Sequence, residues 1–197
     1  MDYNAQLNAL VKKNDGLILT KDVTASGIPR VYLGQFVTRG ILEKVERGIY
    51  LAKDSLEDTM YCLQAKYYAA IFSHDTALFL HELTDRDPLQ YSVTVPAGYN
   101  TKNIKDNGIK VYSIKKELYE MGVCTVMTPF GRQIRTYNME RTICDILRSR
   151  NQLDITILTD GLKSYSKRKD KNLSLLLRYA ESFKIEKILR SYLEVLL

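Results

Sequence analysis

The stretch that decides the fold of the N-terminal domain is residues 26–40, with the sequence Ser-Gly-Ile-Pro-Arg-Val-Tyr-Leu-Gly-Gln-Phe-Val-Thr-Arg-Gly. Pro29 suits the first position of a helix, where a missing N–H has no cost, and Gly40 suits the left-handed residue that ends one. Three apolar residues between them follow the 3.6-residue period of a helix: Leu33, Phe36 and Val37. The stretch therefore predicts a short helix with one side packed on a core.

The opposite side of this helix carries Val31, Gln35, Thr38 and Arg39. These residue types suit contact with the edges of base pairs. Glutamine can form two hydrogen bonds with adenine, arginine can do so with guanine or hold a phosphate, and the methyl groups of valine and threonine can contact a thymine methyl. The pattern favours a DNA-recognition helix, and a solvated surface helix is the alternative.

The elements around this helix have the order of a winged helix-turn-helix within residues 1–52. A first helix is indicated by Leu7, Leu10 and Val11, and a second, short helix over residues 21–25 can be capped by Thr20. Residues 41–51 form two β-prone runs around a turn, which predicts a hairpin wing with Lys44 and Arg47 as phosphate contacts. Because many winged helices bind protein instead, that alternative stays open.

Residues 53–197 predict a second domain of mixed α/β composition. Helices are expected over residues 56–72 and from 74 onward, the latter capped by Ser73. Strands are expected over 90–95, 109–114, 123–127 and 133–137, followed by a helix over 139–147 capped by Asn138 and three C-terminal helices. The predicted fold class is therefore α+β: an N-terminal winged helix-turn-helix, then a domain with a small antiparallel sheet and a helical C-terminus.

Charge is distributed unevenly along the 197 residues. Residues 1–52 hold seven Lys or Arg against five acidic residues, residues 53–98 three against seven, and residues 99–197 nineteen against eleven. The basic excess suggests that a DNA footprint extends beyond the first domain, although residues 163–171, taken by themselves, are better explained as a solvated basic loop. The predicted DNA-contacting residues are Lys21, Arg30, Val31, Tyr32, Gln35, Thr38, Arg39, Lys44, Arg47, Lys163, Lys167, Arg168 and Lys169.

Signals for catalysis, export and membrane insertion are weak. The common phosphate-loop, zinc-protease and hydrolase motifs are missing, so no catalytic residue, metal ligand or cofactor is predicted. Glu140 and Asp145 lie about 140° apart around a helix and do not converge on one ion; Arg141 is available to pair an acid. His74 and His81 are interpreted as packing or surface residues, and Cys62, Cys124 and Cys144 as buried thiols. The sequence contains no apolar run of membrane-spanning length and no secretion signal. A cytoplasmic protein is therefore expected.

Six blocks in this order resemble the AbiEi family of bacterial antitoxins and repressors from type IV toxin–antitoxin systems. They are the winged helix, Gly48-Ile49-Tyr50, and the segments 72–78, 93–96, 128–131 and 140–145. The resemblance implies that residues 29–39 form the DNA-recognition helix and residues 43–48 the wing. It also implies that residues 53–197 form the antitoxin domain.

The resemblance further implies an autorepressor that binds inverted repeats in its own promoter, in a system for abortive infection and phage defence. Its functional partner would be a nucleotidyltransferase-like toxin that forms no stable complex with it. We expect a monomer or weak self-association, with two copies pairing on DNA. The alternatives are a protein-interaction module that neutralises a toxin by direct binding and, third, an enzyme that modifies nucleic acid.

Overall fold

The computed structural model describes residues 2–196, with side chains to Glu194, and divides into two compact units, Met1–Tyr68 and Ala69–Leu197. The first unit contains α1 Tyr3–Lys13, β1 Leu17–Leu19, α2 Thr20–Ala25, α3 Val31–Thr38, β2 Leu42–Glu46, β3 Ile49–Ala52 and α4 Thr59–Lys66. The second contains β4 Ile71–Phe72, α5 His74–Leu80, β5 Ser92–Pro96, α6 Lys102–Asp106, β6 Lys110–Ile114, α7 Lys116–Tyr119, β7 Val123–Met127, β8 Gln133–Tyr137, α8 Met139–Arg148, α9 Ile155–Lys167, α10 Leu173–Ser182 and α11 Glu186–Leu196.

The first unit packs its three N-terminal helices and an antiparallel sheet of strand order β1-β3-β2 around one core. The core side chains come from every helix of this group and from the sheet: Leu7, Val11, Ile18, Val23, Ile28, Leu33, Phe36 and Leu42. The predicted helices and hairpin lie where the periodicity places them, and Gly40 has the expected positive φ of 69°. Strand β1 is an addition that the sequence reasoning missed.

Two predicted helix starts in this unit are wrong by one or two residues. Thr20 is the first helical residue and not the cap, since the extended residue Leu19 occupies the cap position. Helix α3 begins at Val31, and Pro29 lies before it in a turn whose carbonyl accepts the Tyr32 N–H at 3.1 Å.

The first compact unit extends past residue 52, where the sequence predicted the domain boundary, and includes α4. Cys62 of α4 packs against Leu17, Leu19 and Ile49 of the sheet, which gives the far face of the sheet a small apolar cluster of its own. An ion pair between Lys66 Nζ and Glu46 Oε1, 2.6 Å long, joins α4 to the hairpin. The unit is therefore completed by a helix that follows the hairpin.

The second unit is built on a mixed five-stranded sheet of order β6-β5-β4-β8-β7. Strands β4 and β5, and likewise β7 and β8, pair antiparallel, whereas β5 with β6 and β4 with β8 pair in parallel. The predicted antiparallel sheet is thus corrected: α6 connects β5 to β6 as a crossover, and Gly108 ends that helix. The predicted helix over residues 56–72 also stops early, because Ile71 and Phe72 form β4.

Helix α8 is buried from Glu140 to Leu147 and forms the centre of the second unit. Its Arg141 is fully buried and donates from Nε to Asp145 Oδ2 at 3.0 Å and from Nη1 to the carbonyls of Leu118 and Met121 at 2.8 and 2.7 Å. The guanidinium carbon lies 4.1 and 4.4 Å from the ring centroids of Tyr137 and Phe183. The prediction that Arg141 pairs an acid is confirmed.

Glu140, the neighbouring acid, has a separate structural role. Its Oε1 accepts hydrogen bonds from the Tyr165 hydroxyl at 3.1 Å and from the Asn172 N–H at 2.9 Å, which ties α8 to α9 and to the start of α10. Asn138 caps α8 as predicted, accepting the Arg141 N–H at 2.9 Å. Residues 138–145 therefore hold the second unit together.

A second buried polar group surrounds His74, the first residue of α5. Its Nδ1 and Nε2 lie 3.0 Å from the hydroxyls of Ser73 and Ser149, and its ring stacks on Tyr112 with centroids 3.4 Å apart. Ser73 occupies the predicted cap position, but its hydroxyl bonds His74 and Thr94 and caps no helical N–H. Burial, reinforced by the nearby positive charges of Arg148, Lys110 and Arg141, holds the pKa of His74 well below 6.5.

The buried Arg141–Asp145 pair predicts a large stability effect. Asp145→Asn leaves the guanidinium without its compensating charge, so we expect the free energy of unfolding to fall by about 3–5 kcal/mol. Chemical denaturation of the full chain measures the change. The control Asp170→Asn breaks the exposed pair with Arg168, and because solvent screens that pair its stability should match wild type. Equal losses in the two variants would contradict this account.

His74 predicts a fall in stability at mildly acidic pH. Its pKa is depressed in the folded state, so below pH 6.5 the unfolded chain binds a proton that the folded chain does not. We expect the free energy of unfolding to decrease by up to about 1.4 kcal/mol per pH unit for this residue. His74→Asn, which tolerates the positive φ of 53°, should reduce this slope in denaturant titrations between pH 7.5 and 5.5. Burial also lowers the pKa of His81, so His81 contributes to the slope that remains in His74→Asn. The variant His81→Gln measures that contribution. An unchanged slope in His74→Asn would rule out this role.

Candidate nucleic-acid interface

Helix α3 divides into a buried side and an exposed side as its periodicity predicts. Leu33 and Phe36 are 2% and 0% exposed and anchor the helix in the core of the first unit. Val37 is only half-buried. Val31 is 62% exposed, and Gln35, Thr38 and Arg39 are exposed with it. The predicted outward residues therefore share one accessible face.

The side chains on this face differ in the hydrogen bonds that they form within the protein. Arg39 Nη1 lies 3.3 Å from Asn4 Oδ1 of α1, and Arg30 Nε lies 3.3 Å from Thr24 Oγ1 of α2. These contacts with neutral groups orient the two guanidinium groups without neutralising their charge. The Thr38 hydroxyl donates to the Gly34 carbonyl at 3.0 Å. Among the described residues, no hydrogen-bond partner is found for the Gln35 amide.

Tyr32 is the predicted contact residue that the structure places least favourably. It is half-buried, packs against the core, and its ring lies 5.3 Å from that of Tyr3 at an angle of 53°. Tyr32 therefore fixes α3 against α1 and exposes only part of its ring.

The surface around α3 is basic. Residues 29–40 contain Arg30 and Arg39 and no acidic residue. Lys21 is exposed in the first turn of α2, and Lys44 and Arg47 are exposed on the hairpin. Such a surface provides the positive charge that a phosphate backbone requires.

The carboxylates of the hairpin are partly neutralised. Glu46 accepts a charge-assisted hydrogen bond from Lys66, which lowers the pKa of Glu46 and holds the carboxylate in its charged, paired form. The sequence reasoning missed Lys66, because it lies outside the segment assigned to the N-terminal domain. The ladder between β2 and β3 is irregular between Lys44 and Glu46, next to the turn that carries Arg47.

The predicted basic residues of the second unit lie along and just beyond the end of α9. Lys163, Lys167 and Lys169 are exposed, whereas Arg168 forms a bidentate pair with Asp170 at 2.8 and 2.9 Å. Lys163 and Lys167 line a cleft of about 320 Å³ together with the carboxylates of Glu82, Asp85 and Asp160. This surface is mixed in charge and suits a phosphate backbone less well than the face of α3.

Other groups considered in the sequence have no evident chemical role. Within residues 2–196 no group of three or more His, Cys, Asp or Glu side chains is arranged to hold a metal ion. Cys62 and Cys144 are buried thiols as predicted, and Cys124 is half-buried. No helix in the described part of the chain has both the length and the apolar character needed to cross a membrane.

One residue of the interface escaped the sequence reasoning. Gly34 is exposed on the outward face of α3, between Val31 and Thr38, and a Cβ built there meets no atom within 4 Å. The available signal was a glycine in the middle of a predicted helix, where it lowers helix stability.

Comparison with known proteins gives a family match for the first unit and a fold match for most of the chain. The sequence matches no curated protein. The fold is similar to that in the crystal structure of the RV2827C protein from Mycobacterium tuberculosis, with a TM-score of 0.61 and 12% sequence identity over 92% of this chain and 72% of that chain. At this level of identity the likeness concerns the fold alone.

Residues 5–53 match the model of a family described as "Transcriptional regulator, AbiEi antitoxin". The matched segment contains α3, the hairpin and most of α1. The resemblance to the AbiEi antitoxin family of transcriptional regulators is therefore confirmed for residues 5–53.

Proposed function

We propose that the protein is a DNA-binding transcriptional repressor of its own operon and the antitoxin of a type IV toxin–antitoxin system. In this proposal residues 1–52 form a winged helix-turn-helix whose helix α3 enters the major groove, while α2 crosses the DNA backbone. The observation that carries the proposal is the exposed, acid-free face of α3, with Gln35 between two arginines that keep their charge.

Each exposed residue then has a defined role. Gln35, whose amide has no partner in the described structure, contacts a base edge, and the methyl groups of Val31 and Thr38 contact apolar atoms in the groove. Arg30, Arg39 and Lys21 contact phosphates, which fixes the register of α3. Lys44 and Arg47 of the wing contact the backbone beside the groove. Two copies would occupy the two arms of an inverted repeat and block the promoter.

The partner in this proposal is a nucleotidyltransferase-like toxin that the second unit counteracts without a stable complex. A match to an antitoxin family at residues 5–53 supports the regulatory role more directly than it supports this part. Direct binding of a toxin by the second unit is the alternative, and co-expression with the adjacent reading frame distinguishes the two. A stoichiometric complex that survives gel filtration would favour direct binding.

Binding to upstream DNA tests the proposal. We expect the full chain to bind the duplex upstream of its own coding sequence more tightly than a scrambled duplex of equal length in gel-shift titrations. If about six phosphates are neutralised per copy, the logarithm of affinity should fall against the logarithm of salt with a slope of roughly −5. Equal affinity for the two duplexes would overturn sequence-specific repression.

Alanine substitutions of Gln35 and Arg39 should change DNA affinity in different ways. Gln35→Ala removes a base contact, so we expect affinity for the upstream duplex to fall by roughly 10- to 100-fold and affinity for the scrambled duplex to stay unchanged. Arg39→Ala removes a phosphate contact, so affinity for both duplexes should fall by the same factor, with a shallower salt slope. Loss of binding to both duplexes in Gln35→Ala would assign that residue to the phosphate backbone.

Three lysines of the second unit provide a test of whether this unit contacts DNA. Joint replacement of Lys163, Lys167 and Lys169 with Gln should reduce the salt slope if their ammonium groups displace counterions. The matched control replaces Lys102, Lys105 and Lys116, three exposed lysines of the same unit, with Gln. Equal slopes for the two triple variants would remove this surface from the DNA footprint.

A further inference from the structure

Gly34 is unusual among the ten glycines of this chain, because the fold gives no reason for it. The other glycines either have a positive φ, as Gly27 and Gly40 do, or lie against a neighbouring side chain, as Gly161 lies against Leu78. Gly34 has helical backbone geometry, and its missing Cβ would point into open space. Because alanine is more stable than glycine in a helix interior, this position sacrifices stability without any gain in packing.

The surroundings of Gly34 give the open space a shape. Val31 lies one turn before it and Thr38 one turn after it on the same side of α3, and the Thr38 hydroxyl bonds to the Gly34 carbonyl. Both side chains lie at exposed positions, and Val31 is 62% exposed. The missing side chain of Gly34 leaves a depression between Val31 and Thr38, next to the exposed amide of Gln35.

Positive charge on both sides of the depression indicates which partner it accepts. Arg30 precedes α3 and Arg39 follows it, both are held by neutral partners, and residues 29–40 contain no acidic side chain. This arrangement complements a polyanion. In the major groove, the group that projects furthest from a base pair and is itself apolar is the C5-methyl group of thymine.

We propose that Gly34 is a specificity-determining position at which a thymine C5-methyl group occupies the space of the missing side chain, between the methyl groups of Val31 and Thr38. This inference rests on the proposed function, since it assumes that α3 lies in the major groove. Gln35, the next residue, bonds the adenine of the same or the adjacent base pair. The site therefore selects an A·T pair by a depression as well as by hydrogen bonds.

The test combines Gly34→Ala with a change in the DNA. The probe is the duplex upstream of the coding sequence, prepared with thymine or with deoxyuridine, which lacks the C5-methyl group. Wild type should bind the deoxyuridine duplex about tenfold more weakly than the thymine duplex. Gly34→Ala places a methyl group where the thymine methyl would lie, so it should bind the thymine duplex at least tenfold more weakly than wild type does and regain affinity on the deoxyuridine duplex.

Stability and a control variant make the result unambiguous. Gly34→Ala should raise the Tm by a few degrees, because alanine favours the helix, so weaker binding cannot be attributed to unfolding. Asn8→Ala, at an exposed position of α1, should also raise the Tm and leave both affinities unchanged. If wild type prefers the upstream duplex and Gly34→Ala binds it equally well, the depression has no role and the repressor proposal stands. If wild type does not prefer the upstream duplex, both proposals fail.

Discussion

Burial of Leu33 and Phe36 is the interaction on which the first unit depends. Helix α3 has eight residues, too few to be stable alone, so its conformation is supplied by the core that these two side chains enter. Because this anchoring uses only one side of the helix, the opposite side contributes no side chain to this core. That freedom permits a glycine, an exposed valine and an unpartnered glutamine to stand together on the outward face. A surface that the core does not use is available for recognition.

The second unit has a buried ion pair at its centre, unlike the apolar core of the first unit. Its centre is the buried guanidinium of Arg141, which donates hydrogen bonds to Asp145 and to two carbonyls of the segment before β7. Burial raises the pKa of Asp145, against the opposing influence of Arg141 and Arg148, so the pair must offset a considerable desolvation cost. Loss of either partner would leave the other charge buried and uncompensated, so the pair ties α8 to the segment before β7. The acids and bases of residues 140–145 are thus accounted for by structure.

The sequence predicts the parts of this molecule that depend on local periodicity and misses those that depend on distant partners. The outward face of α3 follows from the 3.6-residue period and is correct. Strand β1 is three apolar residues with no alternation, and it exists because β3 pairs with it. The predicted antiparallel sheet is wrong for β5 and β6, because the intervening α6 connects them as a parallel crossover. Nor does the sequence reveal that Lys66 neutralises Glu46.

These pairings change what the charge of each region means for binding. The second half of the chain has the larger basic excess, but Arg141 and Arg148 share Asp145, and Arg168 is held by Asp170, so these three cations are already engaged within the unit. In the first unit the opposite occurs. Its arginines beside α3 are held by neutral side chains, and a carboxylate of its hairpin is cancelled by α4. A modest net charge thus leaves uncompensated positive charge beside α3, because a phosphate responds to the unpaired charges within a Debye length rather than to the sum over the sequence.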